Sequence, residues 1–214
     1  MKALLIENSY PNTKYELRGG ANDIEIMLRL IPDFDVTVLK DPSREKFIEV
    51  LTEFLKSETC TGPNPICQKL FYYSGHGSEN EIITTDFKNI NDEVFKELLR
   101  DLKGSLFAIF DSCFSGSMLD LKYRYSYEED RLIENDVPET NQEIYLLSSS
   151  DNISYEVKIN NKFNGLLTLL LEKADATTWR TLIRSIDELD NVEFPVFSTS
   201  KKIDMNSTLS DSFI

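Results

Sequence analysis

The chain contains a single histidine, His76, held between two glycines in Tyr72-Tyr73-Ser74-Gly75-His76-Gly77. Histidine-assisted chemistry is therefore confined to one point. The apolar pair Leu70-Phe71 leads into that segment, and a second apolar run, Leu106-Phe107-Ala108-Ile109-Phe110, ends in Asp111-Ser112-Cys113-Phe114-Ser115-Gly116. An imidazole and a thiol thus stand at the ends of two strands of similar design. A neutral thiol is a poor nucleophile. A nearby imidazole either takes its proton or favours the thiolate, and can then protonate a leaving amine. Gly75 and Gly77 let the backbone turn tightly beside the ring, where an exposed N–H is suited to hold an oxyanion.

Each group also has an ordinary reading, the histidine as a structural residue and the thiol as a small buried hydrophobe. Ser115 is a conceivable serine nucleophile, but the glycine expected two residues before it is replaced by Cys113. Cys60 and Cys67 have no histidine or further cysteine beside them, so they read as free thiols in a loop rather than as zinc ligands.

The elements that must carry these groups alternate between strand and helix, the pattern of an α/β domain. Strands are expected over 2–6, 34–39, 69–73, 106–110 and 144–148, with a closing edge strand over 195–199 where proline is tolerated at the start. Ile24, Met27, Leu28 and Ile31 share one face of a helix over 22–31. Asp41 reads as the cap of a second helix with Pro42 at its first position, followed by Phe47, Leu51, Phe54 and Leu55. Further helices are expected around Val94 to Leu99 and over 164–173 and 178–189, with a short extended excursion over 78–87. Such strands are covered by helices on both faces of a mostly parallel sheet of about six strands. His76 and Cys113 then lie at carboxyl ends of strands, where open parallel sheets bind their ligands.

At 214 residues, 41% hydrophobic and 28% charged, the chain reads as one domain, 1–214, with a polar surface linker at about 122–142. The aromatic group Tyr123, Tyr125 and Tyr127 has period two, consistent with a strand edge or with a flap over the cleft. The formal charge of -14 argues against a nucleic-acid partner and for basic ones. No run approaches a membrane span and no secretory leader opens the chain, so no membrane partner and a cytoplasmic location are expected. Three cysteines fit reduced thiols better than a disulfide framework.

Tyr73-Ser74-Gly75-His76-Gly77 and Asp111-Ser112-Cys113-Phe114-Ser115-Gly116-Ser117 resemble the histidine and cysteine signatures of the metacaspases, caspase-like cysteine peptidases. The resemblance extends to the early loop Leu17 to Asp23, to Ser148–Glu156 and to Pro195–Asp204. It covers essentially the whole chain with no added prodomain. It implies a caspase-like fold, Cys113 as nucleophile, His76 as general acid/base, and the N–H groups of Gly77 and Cys113 as oxyanion donors. It further implies a pocket of Asp23, Ser74 and Asp111. Two carboxylates in a desolvated slot favour arginine or lysine before the cleaved bond of a protein or peptide substrate. Asp23 also has an ordinary reading as an acidic residue favourable to a helix start.

Some positions depart from the family. Gly20 stands where a cysteine is usual, and Phe114 where a histidine or another polar residue is common. Asp120, seven residues after Cys113, matches one calcium ligand of metacaspases, yet the acidic insertion that supplies the others is cut to Ser78-Glu79-Asn80-Glu81-Ile82-Ile83. No cofactor is required for the chemistry, and Ca2+ as an activator is an expectation resting on Asp120. Lys122, Arg124 and Arg131 lie soon after Cys113, so self-processing is expected at one of them. The resemblance implies a monomer. The competing reading is a catalytically silent caspase-fold module that binds basic peptides.

Overall fold

A strand that is apolar on successive residues needs cover on both faces, and its alternate side chains then serve two separate cores. The computed structural model, which describes residues 1–58, 68–189 and 195–209, is built this way. In chain order the elements are β1 (Lys2–Glu7), α1 (Gly20–Leu30), β2 (Asp35–Lys40), α2 (Arg44–Lys56), β3 (Gln68–Ser74), β4 (Gly77–Ser78), β5 (Glu81–Ile83) and β6 (Asn89–Asn91). There follow α3 (Asp92–Leu99), β7 (Ser105–Asp111), β8 (Tyr123–Ser126), β9 (Arg131–Glu134), β10 (Glu143–Ser148), β11 (Glu156–Ile159), β12 (Lys162–Gly165), α4 (Leu166–Lys173), α5 (Trp179–Leu189) and β13 (Val196–Thr199).

Among the described residues the main sheet has eight strands in the order β2-β1-β3-β7-β10-β13-β8-β9. The first five run parallel; β13, β8 and β9 continue the sheet by antiparallel pairing. Leu5, Tyr72, Ile109 and Leu147 face a core shared with Ile24 and Met27 of α1, Leu170 of α4 and Trp179 of α5. Their strand neighbours Leu4, Phe71, Ala108 and Leu146 face the other core, with Phe47 and Leu51 of α2 and Phe95 of α3. Phe110, the last apolar residue before Asp111, packs edge-on against Phe71 and Phe95 with ring centroids 5.5 Å and 5.7 Å away. Edge-to-face pairs of this kind add to the area term.

The expected six strands are present, and the sheet carries two more. These come from the 122–142 stretch, which is not a free linker: β8 and β9 form a hairpin on the sheet edge. Tyr125 and Leu132 oppose one another across it, both buried in the α1-side core, while Glu128, Glu129 and Asp130 form its exposed turn. Charged composition thus hid two inward-facing side chains. The Tyr123/Tyr125 alternation is that of a strand. The closing strand β13 is not an edge, because β8 covers its far side. The second helix is capped by Ser43, which accepts the Lys46 N–H at 3.3 Å; the Asp41 carboxylate is instead taken by the N–H and hydroxyl of Ser9, at 2.7 and 2.8 Å. Asn164 and Gly165 end β12, with Gly165 as the N-cap of α4, so that helix begins at Leu166. Cys60 and Cys67 lie outside the described residues.

Phe110→Ala removes a ring from the cluster that fixes the β7 end, and large-to-small changes at such sites cost about 3–5 kcal/mol. Urea unfolding is expected to show a loss of that order with unchanged m-value; a loss below about 1 kcal/mol would contradict this packing.

Candidate active site

β3 and β7 are adjacent parallel strands whose register sets Ser74 opposite Asp111. Two residues beyond that pair on each strand lie His76 and Cys113, so both groups leave the sheet at the same level of one rim. Gly77 permits the close approach of the two loops, since a Cβ there would overlap the Cys113 carbonyl oxygen and sit 3.2 Å from Ser112 Oγ. His76, Cys113, Asp23, Ser74, Asp111 and Glu156 line a single cavity of about 120 Å³.

The His76 peptide is fixed from below. Its N–H donates to the Tyr10 hydroxyl at 2.9 Å, and its carbonyl accepts from Ile83 N at 3.0 Å and lies 2.9 Å from the Tyr73 hydroxyl. Burial raises both tyrosines above their ordinary range, which keeps them neutral donors. Nε2 of the ring lies 2.8 Å from the Tyr15 carbonyl oxygen. A carbonyl only accepts, so Nε2 is the donor here, and among the described residues Nδ1 makes no hydrogen bond. The Tyr10 ring lies 4.6 Å from the imidazole, centroid to centroid, and the half-exposed Tyr15 ring meets it edge-on.

Cys113 is partly exposed. Its Sγ accepts the Ser154 N–H at 3.4 Å and donates to the Ser154 carbonyl at 3.5 Å. The Phe114 N–H donates to Asn152 O at 2.6 Å, and that of Gly116 to Ser150 O at 3.0 Å, so 150–154 runs along the nucleophile turn. Among the described residues the Cys113 N–H has no hydrogen-bond partner.

Beneath these groups lies a buried acidic pair. Asp23 is 1% exposed and Asp111 6%. Asp23 Oδ1 accepts from Gly165 N at 2.9 Å and Asn164 Nδ2 at 3.2 Å; Oδ2 accepts from Ser74 Oγ at 3.0 Å. Asp111 Oδ2 accepts both the N–H and the hydroxyl of Thr168, at 2.9 and 2.7 Å, and so supplies the missing cap of α4, whose own N-cap is Gly165. Burial, reinforced by the charge of Asp111, pushes the Asp23 carboxyl up to about 8. Burial also raises Asp111, against the Thr168 bonds that favour its ionised form. The pair therefore retains a proton at neutral pH. Glu156 adds a third carboxylate at the wall, accepting from the N–H groups of Arg18 and Gly19.

The structure thus brings Asp23, Ser74, Asp111, His76, Gly77 and Cys113 together. Asp120 is not among them: it lies away from the cavity, paired with Lys96. Arg124 and Arg131 lie within β8 and β9, paired with Asp151 and Glu129, and Lys122, directly before β8, pairs with Glu134. Sequence reasoning missed Tyr10, Tyr15, Ser154, Glu156 and Thr168. Thr168 and Glu156 meet the site only through helix and hairpin placement, and Tyr15 and Ser154 act through backbone atoms, which carry no residue-type signal.

The caspase-domain family model matches residues 1–186. The chain belongs to the caspase-domain family of cysteine peptidases. Its relatives in the family include Metacaspase-1 of Pyricularia oryzae, 30% identical over 58% of this chain and 39% of that protein. Metacaspase-1A of Aspergillus niger is 32% identical over 58% of this chain and 38% of its own length. The chain spans about two fifths of the length of these curated relatives. A protein of Geobacter sulfurreducens with a known crystal structure shares the caspase-domain fold, with TM-score 0.67 and 20% identity over 96% of each chain.

Because folded Asp23 keeps its proton up to about pH 8 while the unfolded chain releases it near the ordinary aspartate value of 3.8, folding takes up a proton between those values. Stability accordingly falls as pH rises through that window, by at most about 1.4 kcal/mol per pH unit for one proton. Asp23→Asn preserves the acceptor for Gly165 and Asn164 and places an amide toward Ser74. It is expected to flatten this slope; parallel slopes for the two proteins in chemical denaturation from pH 5 to 8 would exclude a proton held on Asp23.

Proposed function

We propose that the chain is a cysteine endopeptidase cutting after arginine or lysine, with Cys113 as nucleophile and His76 as general acid/base. The observation that carries this reading is the common level of His76 and Cys113 above one buried acidic pocket. The Cys113 thiol passes its proton to Nδ1 of His76, the resulting thiolate attacks the scissile carbonyl carbon, and the oxyanion that forms is held by the N–H groups of Cys113 and Gly77. His76, kept by the Tyr15 carbonyl with Nδ1 toward the cavity, gives a proton to the leaving amine as the C–N bond breaks and a thioester forms. Water then attacks the thioester while His76 takes its proton, the C–S bond breaks, and the carboxylate product leaves with the thiol restored. The substrate main chain takes over the room beside Sγ that the Ser154 backbone fills in the empty site.

Specificity follows from charge. Asp23 and Asp111 would repel one another if both were ionised, so the pair keeps a proton until a cation enters, and a guanidinium satisfies both carboxylates while displacing that proton. Glu156 extends the same field to the mouth. An aspartyl side chain in that slot would add a further unpaired charge. The β8–β9 hairpin occupies the side of β13 on which a second copy would otherwise pair, which supports a monomer.

With fluorogenic peptides, an arginyl substrate is expected to be cleaved and its aspartyl analogue left intact. Cys113→Ala is expected to lower turnover by at least about a thousandfold, and Asp23→Asn to weaken arginyl substrates about 10- to 100-fold, mainly in KM. Binding of arginyl peptides without turnover by the unmodified chain would instead favour the silent binding module.

Self-processing requires a basic residue in a segment that can leave the sheet. Arg131 meets this best, since β9 is the outermost strand and the side chain is 64% exposed, against 15% for Lys122 and 34% for Arg124. A fragment beginning at Leu132 is expected from the wild type and absent from Cys113→Ala, by gel mobility and terminal sequencing. Identical intact bands from both would end this part of the proposal.

A further inference from the structure

Lys96, on the second turn of α3, holds its Nζ 2.6 Å from Asp92 Oδ2 and 2.6 Å from Asp120 Oδ2. Asp92 is the first residue of that helix; Asp120 is the seventh after Cys113. The other Asp92 oxygen accepts the Leu119 N–H at 2.5 Å. Leu119 and Asp120 have φ of 72° and 40°, two successive residues in the left-handed region, a conformation that persists only where its surroundings dictate it. From the other side Ser117 Oγ donates to Asn80 Oδ1 at 2.6 Å, and the Asn80 carbonyl accepts the Asp92 N–H at 2.9 Å. One knot therefore ties three segments: the β4–β5 turn after His76, the start of α3, and the turn that follows Cys113.

Two carboxylates drawn together need a cation, and in metacaspases Asp120 would belong to a calcium set. The residues here do not fit that ion. Calcium takes about six to eight oxygens, yet among the described residues no three Asp, Glu, His or Cys side chains converge to hold a metal. The gap between the two carboxylates is already filled by an ammonium. The Lys96–Asp120 arm lies at the surface, with side chains 39% and 50% exposed, but the Asp92 arm is no ordinary surface pair: the Asp92 side chain is only 10% exposed, so removing Lys96 leaves a shielded carboxylate with one backbone donor.

We propose that Lys96 is the built-in cation of this chain, holding the turn after Cys113 in place of a divalent ion, so that cleavage is independent of calcium. Lys96 touches neither substrate nor reacting atoms and is a positioning residue. The claim about rate rests on the cysteine peptidase reading; the claim about the tether does not.

The test compares wild type, Lys96→Met and Lys96→Arg by thermal melting, by calorimetric titration with calcium chloride, and by cleavage of an arginyl fluorogenic peptide in chelator and in calcium. Wild type is expected to bind no calcium, to melt at one temperature and to cleave at one rate in both conditions. Lys96→Met is expected to melt several degrees lower and to lose about tenfold or more in kcat with KM retained, and Lys96→Arg to recover most of both. Should Lys96→Met not fold, Asp120→Asn, which leaves the Lys96–Asp92 pair, takes its place with the same expectation. A tenfold calcium stimulation or a calcium-raised melting temperature of the wild type overturns the proposal, as does a Lys96→Met protein that melts and cleaves like wild type. If the wild type cleaves nothing in any condition, the peptidase reading fails, while melting and calorimetry still decide the tether.

Discussion

The arrangement depends on the register of β3 against β7. Side chains alternate along a strand, so a slip of one residue would exchange the two cores and turn every inward group outward. Tyr72 and Ile109 would leave the α1 side, and Phe71 and Ala108 the α2 side, where each pair is fully buried. The same register sets Ser74 beside Asp111 and brings His76 level with Cys113. Core packing and site geometry are therefore one constraint, and the aromatic cluster around Phe110 fixes both.

What the strands align, two helices complete. α1 lays Asp23 across Ser74, and the start of α4 offers Thr168 to Asp111. Gly165 joins the two halves: its N–H reaches Asp23, and a Cβ at that position would overlap the Asp111 carboxylate. The acidic pair is thus hydrogen-bonded and shares a retained proton, but among the described residues no cationic side chain faces it. Its backbone and hydroxyl donors locate the carboxylates without supplying the countercharge, so an entering cation meets a site that is already oriented. Burial raises the energy of the doubly ionised pair, and on the proposed reading that same energy would favour a basic side chain over an acidic one.

The sequence made legible whatever depends on runs and local motifs. Five central strands, the helical faces of α1 to α3, and the two glycine-flanked signatures follow from apolar runs, periodicity and residue type. The misreadings share a cause. In 122–142 only Tyr125 and Leu132 are fully buried, with Tyr123 and Tyr127 packed partly against the same core, and two buried side chains among many charged ones leave little periodic signal. Asp41 has the right type for a helix cap, but Ser9, far away in sequence, claims its carboxylate. The Tyr15 carbonyl and the Ser154 backbone shape the site through atoms that every residue possesses. Long-range and main-chain interactions are what composition does not encode.

The departures of this chain from its family fit one another. Gly20 stands where a cysteine is usual, and a Cβ at Gly20 would overlap the buried Glu7 carboxylate, which pairs at 2.9 Å with Lys40. A glycine at the start of α1 and a glutamate at the end of β1 are thus a matched pair. The segment after His76 is likewise short, and it folds as the three-stranded β4-β5-β6 sheet, whose turn carries Asn80 to Ser117. A longer acidic insertion there would have to displace that contact. With the insertion gone, the charge that neutralises Asp92 and Asp120 must come from elsewhere, and Lys96, one helical turn beyond Asp92, is the side chain whose length and sign allow it. Shortening the segment and placing a lysine on α3 are two halves of one structural solution.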